Sequence, residues 1–290
     1  MNHQRTKGPR TGLNPSQQAA LVKLLGDDDE AVVQSIRDTI FSYGSGAQSW
    51  LEPYLLDNDP QVRNRVRQVV HELGRNAADT EFLSFCVSSG EDLDIEHGEW
   101  LLAKTRHPEI NTAGYQAVID SFAADLQIEI DSTSGPEGIL ATINKYLFER
   151  QGFCGNEVEY YDPENSYLNS VIDRRTGNPV SLCLIYLFVA RRLKLPAVGI
   201  GMPGHFLLRF QFSTGAVFVD AFNGGRILSK ADCVKHLTDS NHGFLEAYLA
   251  PISPRRTLLR ICSNLHHIYK ELDDDIEAIR LQGYLIALAK

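Results

Sequence analysis

GNPVSLCLIYLFVARRLKLPAVGIGMPGHFLLRFQFSTGAVFVD (177–220) is the stretch whose reading decides the fold. Asn178 is a strong N-cap, Pro179 suits the first helical position because its missing N–H costs nothing there, and Ser181 falls at N3. An apolar helix is therefore expected from Pro179 to about Leu193. Short β-like runs follow at 197–201, 205–212 and 216–220, with Ser213-Thr214-Gly215 suited to a hairpin turn. One helix feeding a small antiparallel sheet is an α+β pattern, and the sheet is expected to lie wholly within about 195–250.

Upstream of this core the chain is irregular over Gly152–Asn169, a long loop carrying Tyr160, Tyr161, Asp162, Asn165 and Tyr167, of the kind that holds function or covers a surface. A helix is expected over 139–149. The serine-, glycine- and proline-rich Asp131–Gly138 (DSTSGPEG) reads as a linker. Before it, LVKLLGDDDEAVVQSIRDTIFSYG (21–44) superimposes on LEPYLLDNDPQVRNRVRQVVHELG (51–74) with a period of 30 residues. Each unit reads as a helical hairpin whose acidic turn, Asp27–Asp29 or Asp57–Asp59, caps the second helix and whose Gly44 or Gly74 closes it. The pattern is HEAT-like with a short period, and two units need later helices to complete a core. At the other end, Leu258–Leu272 and Ile276–Leu288 form a tetratricopeptide-like helical hairpin around Asp273-Asp274-Asp275. The expected domains are 1–130, a helical repeat region; 131–254, the α+β core; and 255–290, the hairpin.

Composition excludes several function classes. At 290 residues and 43% hydrophobic the chain can bury real cores, and 28 basic against 37 acidic residues leave a formal charge of −9. That balance argues against a nucleic-acid or anionic membrane surface. Five cysteines without a C-x-x-C pair indicate neither a disulfide framework nor a zinc ribbon. No signal-like or membrane-spanning run is present in the sequence, and a cytoplasmic location is the expectation. Adjacent His266 and His267 do not share a helix face, so no metal pair is expected. Gly199–Gly204 spells G-x-G-x-x-G, but a β-like run follows it and not a helix, which rules out a dinucleotide loop.

The chemistry-bearing residues converge on one place. A nucleophile at a helix start gains from free N–H groups and the positive end of the dipole, and Ser181 and Cys183 are the candidates. Each also has a plain structural reading, Ser181 as a capping residue and Cys183 as a small core side chain. His205 follows a Pro-Gly turn, and Asp220 ends a later β-like run. A histidine and a carboxylate on neighbouring strands can orient an imidazole beside a helix-borne nucleophile. Cys154 is an outside candidate for a thiol.

Tyr161-Asp162-Pro163 with Asn165–Asn169, Gly177–Leu182, Pro203–Phe206, and Asp220 with Phe222–Gly225 together resemble the SirB1 family, whose transglutaminase-like core is also present in an F-box protein. The resemblance runs from about Leu93 to the C-terminus. It implies a papain- or transglutaminase-like core with a small antiparallel sheet, and a cleft that includes Tyr161, Asp162, Asn165, Asn169, Asn178 and Asn223. In such enzymes a cysteine opens the central helix about seventeen residues before a segment that Lys194-Leu195-Pro196 matches, and counting back lands near Pro179. Ser181 is nearer to that point than Cys183. Two helical positions two residues apart differ by about 200° in azimuth, so both cannot face His205. Ser181 is expected to face His205, and Cys183 to be buried and protonated.

Two functions follow. One is a non-enzymatic or weakly active module that binds a protein or peptide in the cleft, without cofactor, metal, nucleic acid or membrane. The other is an acyl-transfer enzyme with Ser181 or Cys183 as nucleophile, His205 as base, Asp220 as orienter and an oxyanion hole from first-turn N–H groups.

Overall fold

In the computed structural model, which describes residues 12–131, 134–213 and 215–290, the two acidic turns of the internal repeat are built alike. Asp27 Oδ1 accepts from the Asp29 N–H, and Asp29 Oδ1 from the Ala31 N–H. Thirty residues on, Asp57 Oδ1 accepts from Asp59 N–H and Asp59 Oδ1 from Gln61 N–H. Short carboxylates are good caps because they satisfy N–H groups that the first turn leaves without a partner. They open helices Glu30–Phe41 and Pro60–Ser88.

The two repeats differ elsewhere. The first is a helical hairpin with Pro15–Leu25 as its leading helix. In the second the leading half is broken into Gln48–Leu51 and a 3₁₀ turn, Glu52–Leu56, which holds Pro53. Gly44 leaves its helix at φ +58°, as a closing glycine should. Gly74 closes nothing. The helix runs through it to Ser88, and a Cβ there would meet the Pro108 ring at 2.9 Å, so this glycine serves a close approach and not a stop. The described residues up to Glu81, with Lys104–Glu109, form one compact unit around Val22, Leu25, Ile40, Leu51, Val66 and Val69.

The second unit comprises Phe82–Ala103 and Ile110–Lys290. Its centre is the helix Pro179–Arg192, in which every residue from Pro179 to Ala190 is buried. A helix that is apolar all round must be covered on every side. Helices Thr112–Glu129, Pro136–Asn144 and Pro254–Glu271, with the last helix Asp275–Leu288, share its core through Phe122, Leu126, Leu140, Ile143, Ile261, Leu265 and Tyr284. The linker-like 131–138 and the 255–290 hairpin both lie inside this unit. Ser132, Thr133 and the hairpin-turn residue Thr214, like the opening residues 1–11, lie outside the described residues.

Four antiparallel strands form the main sheet in chain order, Ala197–Ile200, Leu207–Phe212, Gly215–Asp220 and Arg226–Leu228. The central pair runs in the register Leu208 opposite Val219. A second, two-residue parallel pairing, Cys154–Gly155 with Thr176–Gly177, lies outside the 195–250 range in which all strand was expected. It ties the long loop to the start of the central helix. A helix, Leu168–Arg174, begins at the end of that loop and is ended by Arg175 at φ 57°.

Candidate functional site

The hairpin wall of the site follows from register. One step past Leu208–Val219, Asp220 lies opposite Leu207, and residues two apart on a strand share a face. His205 is therefore the diagonal neighbour of Asp220 on that face. His205 Nε2 lies 2.9 Å from Asp220 Oδ2, with both side chains about nine-tenths buried. Asn223 steadies the carboxylate, its backbone N–H donating to Oδ1 at 3.2 Å and its amide to Oδ2 at 2.8 Å. Burial pushes the Asp220 carboxyl up, but the imidazole and the two Asn223 donors outweigh it, and the group rests below the ordinary aspartate value. The Phe222 edge and the His236 ring border the imidazole, with centroids at 6.3 and 5.6 Å.

The helix wall is built on a capping box. Asn178 Oδ1 accepts from the Val180 and Ser181 N–H groups, both at 2.9 Å, and the Leu182 N–H donates to the Asn178 carbonyl. Pro179 has no N–H. Every first-turn donor is thus engaged, and none is left for an oxyanion. The Ser181 hydroxyl accepts from the Asn178 N–H at 3.0 Å and donates to the Asn165 carbonyl at 2.7 Å. Ser181 is 2% exposed. Its hydroxyl is turned into the cap and the long loop, in place of the expected orientation toward His205, because the N3 side chain of a capping box folds back onto the N-cap.

Cys183 is fully buried and its thiol donates to the Phe206 carbonyl at 3.5 Å. Burial, then the nearby Asp220 charge, holds that thiol above its ordinary value. Cys154 is exposed, 3.9 Å from the Thr176 hydroxyl.

His205 opens onto a cavity of about 450 Å³ in which the helix start presents Asn178, Pro179 and Val180. Of the other residues expected in the cleft, Tyr161 lines the cavity at its rim. Asn165 is a bracket: its amide donates to the Glu159 carbonyl and accepts from Asn156, while its carbonyl holds Ser181. Asp162 caps the next turn and pairs with Arg174 at 2.6 Å. Asn169 is buried against Ser170, with its Oδ1 lacking a partner. Asn223 and Asp220 border a second pocket of about 300 Å³ with Arg226, Lys235 and His236.

The far side of the main cavity comes from the helix Pro254–Glu271, which the sequence reading left out of the site. It contributes Arg260, Ser263, Asn264, His266 and His267. Their signal was a polar stripe at 260, 263, 264 and 267, between the buried Ile261, Cys262 and Leu265. Both histidines border the cavity despite being adjacent. His266 Nδ1 lies 2.8 Å from the Ala278 carbonyl, which only accepts, so this nitrogen carries the proton. Among the described residues no cluster of three or more His, Cys, Asp or Glu side chains could hold a metal ion, and no helix is long and apolar enough to cross a membrane.

Residues 113–263, which contain both walls, match the family model of the transglutaminase-like superfamily. A UPF0162 protein of Xylella fastidiosa (strain Temecula1) is 36% identical over 204 residues, covering 68% of this chain and 73% of that protein. A UPF0162 protein of Pseudomonas aeruginosa is 28% identical over 56% of this chain and 58% of its own length. F-box only protein 21 of mouse is 31% identical over 61% of this chain, which is 28% of that protein. No solved structure matches. This chain belongs to the transglutaminase-like superfamily and, within it, to the UPF0162 family.

Proposed function

We propose that the cleft between the central helix start and the His205–Asp220 hairpin binds a segment of another protein without turning it over. One observation carries this reading: the cavity that admits His205 is lined on the helix side by Pro179 and Val180, with the first-turn donors already given to Asn178. Acyl transfer needs a nucleophile within reach of its base and donors for the oxyanion, and this wall offers neither. The rim supports a peptide ligand. Tyr160 and Tyr161, which line the cavity, meet edge to face at 5.2 Å, an aromatic lip of the kind that anchors peptides. The finer likeness to the SirB1 family belongs to the same reading, as does a HEAT- and tetratricopeptide-like character of the flanking helices, which suits protein binding. The match to about a quarter of F-box only protein 21 supports a portable module.

The close His205–Asp220 pair favours a second reading, in which the cap opens and Ser181 or Cys183 acts with His205 as base and Asp220 as orienter. A panel of fluorogenic esters and peptide amides separates the two. The expected result is equal background rates for the native chain and His205→Ala, while a displayed random-peptide library enriches binders that are lost when Val180→Trp fills the cavity. Turnover that disappears in His205→Ala would sink the binding reading.

A further inference from the structure

The chain carries a net charge of −9, yet none of the residues lining the main cavity is Asp or Glu. They include one arginine and three histidines. Two other shielded arginines in the second unit are well partnered, while Arg175, over the Phe122 and Phe153 rings, and Arg209 each keep a buried nitrogen without a hydrogen-bond partner. Arg255 gives its guanidinium to the carbonyls of Cys86, Ser89, Ala287 and Leu288. Arg192 is paired with Glu96 and Asp120.

Arg260 differs. It donates to two carbonyls, Met202 at 2.9 Å and His205 at 2.8 Å, and no carboxylate of the described residues pairs with it. A guanidinium has five N–H donors, so three remain. Taking a cation out of water without a counter-charge is unfavourable, and burial draws the Arg260 guanidinium below its ordinary range. The Phe206 face beneath it, 5.7 Å from the guanidinium carbon, supplies only part of the compensation. With Nδ1 of His266 fixed on the Ala278 carbonyl, its other ring nitrogen is the one left for a ligand.

Resting on the reading of this cavity as a binding cleft, we propose that Arg260, flanked by His266 and His267, is the anchor for a carboxylate of the bound peptide. One permanent cation matches a monoanion, and the planar fork suits a carboxylate. The carboxylate has two possible sources, a chain terminus or an acidic side chain.

The test uses the full chain with labelled histidine rings, whose signals are assigned with H266Q and H267Q, and three matched ligands. N-acetyl-glutamine carries only the terminal carboxylate, N-acetyl-glutamic acid α-amide only the side-chain one, and N-acetyl-glutaminamide none. The expected result is a saturable shift of the His266 and His267 signals with one or both carboxylates. Affinity for the neutral ligand should be weaker by about tenfold or more, the weight of a charge-assisted hydrogen bond. A response to the first ligand alone assigns the anchor to a chain terminus, to the second alone to an acidic side chain, and to both to either source. R260Q should abolish the preference. Should R260Q fail to fold, the charged-versus-neutral comparison on the unchanged chain still decides. Equal response to all three ligands, no response to either carboxylate, or a folded R260Q that keeps the preference would overturn the anchor. Because the peptide-library and turnover measurements do not depend on charge, a failed anchor is distinguishable from a failed binding cleft.

Discussion

On the hairpin side of the cleft, a histidine and an aspartate are close and braced, and the histidine opens onto the cavity; on the helix side, the first-turn donors and the Ser181 hydroxyl are all engaged. Both walls meet the same demand, since a buried polar group without a partner destabilises the fold. The hairpin meets it with the close His205–Asp220 contact, whose carboxylate Asn223 holds. The helix meets it internally, through Asn178, Ser181 and Asn165. Good packing statistics would look alike on the two walls, and only the direction of each donor separates a site from a cap.

The largest effect that could break this contrast is at Cys183. With its thiol buried and held above the ordinary cysteine value, alkylation in the native chain is expected to be slower than in the unfolded chain by about a thousandfold, the protection given by a core opening of about 4 kcal/mol. Peptide mapping after timed native alkylation checks it. Fast labelling of Cys183 would place a reactive thiol behind the helix wall.

Next comes the His205–Asp220 contact. Asp220→Ala strips His205 of a buried partner and is expected to destabilise by about 3 kcal/mol in denaturant titration. The aspartate's folded value lies below its unfolded one, so the ionised form favours the fold. Its contribution is complete above about pH 4 and is lost as the pH falls through the lower, folded value. Asp220→Asn should flatten the stability curve in that acid window and leave it unchanged at neutral pH apart from a constant offset. A curve as steep as that of the native chain would show that the pair contributes nothing.

Ser181→Ala should act as the loss of a cap and cost about 1–2 kcal/mol, with peptide binding intact. Loss of a measurable turnover with stability unchanged would instead put the hydroxyl in the chemistry. The smallest effect belongs to the rim, where Tyr161→Ala should alter stability by less than about 0.5 kcal/mol while weakening library-selected peptides severalfold.

The hairpin wall was legible in the sequence because its determinants are local. Pro203-Gly204 sets His205 and a short strand pair fixes the phase of Asp220, so period-two reasoning suffices. The cap was legible too, down to Asn178, Pro179 and Ser181. What the spacing did not reveal is that an N3 serine can be consumed by its own cap, and that Asn165 approaches from a loop sixteen residues upstream. Arg260 was hidden for a different reason: it reaches the His205 carbonyl across 55 residues of chain, and only an amphipathic stripe on its helix marked it. Gly74 shows the same limit in the repeat region, where a glycine read as a stop answers to Pro108.

The capping box also constrains how such a surface could change over generations. A new nucleophile at Val180 alone finds its own N–H already bound to Asn178, while releasing Asn178 alone weakens the helix start with no chemistry gained. Ser166 and Asn165 hold the same asparagine and serine from the other side. On the proposed binding reading, a covalent function at this wall requires at least two coordinated substitutions, each destabilising by itself. On the same reading, changes of ligand made at the rim tyrosines or Arg260 are single steps that leave the helix start untouched.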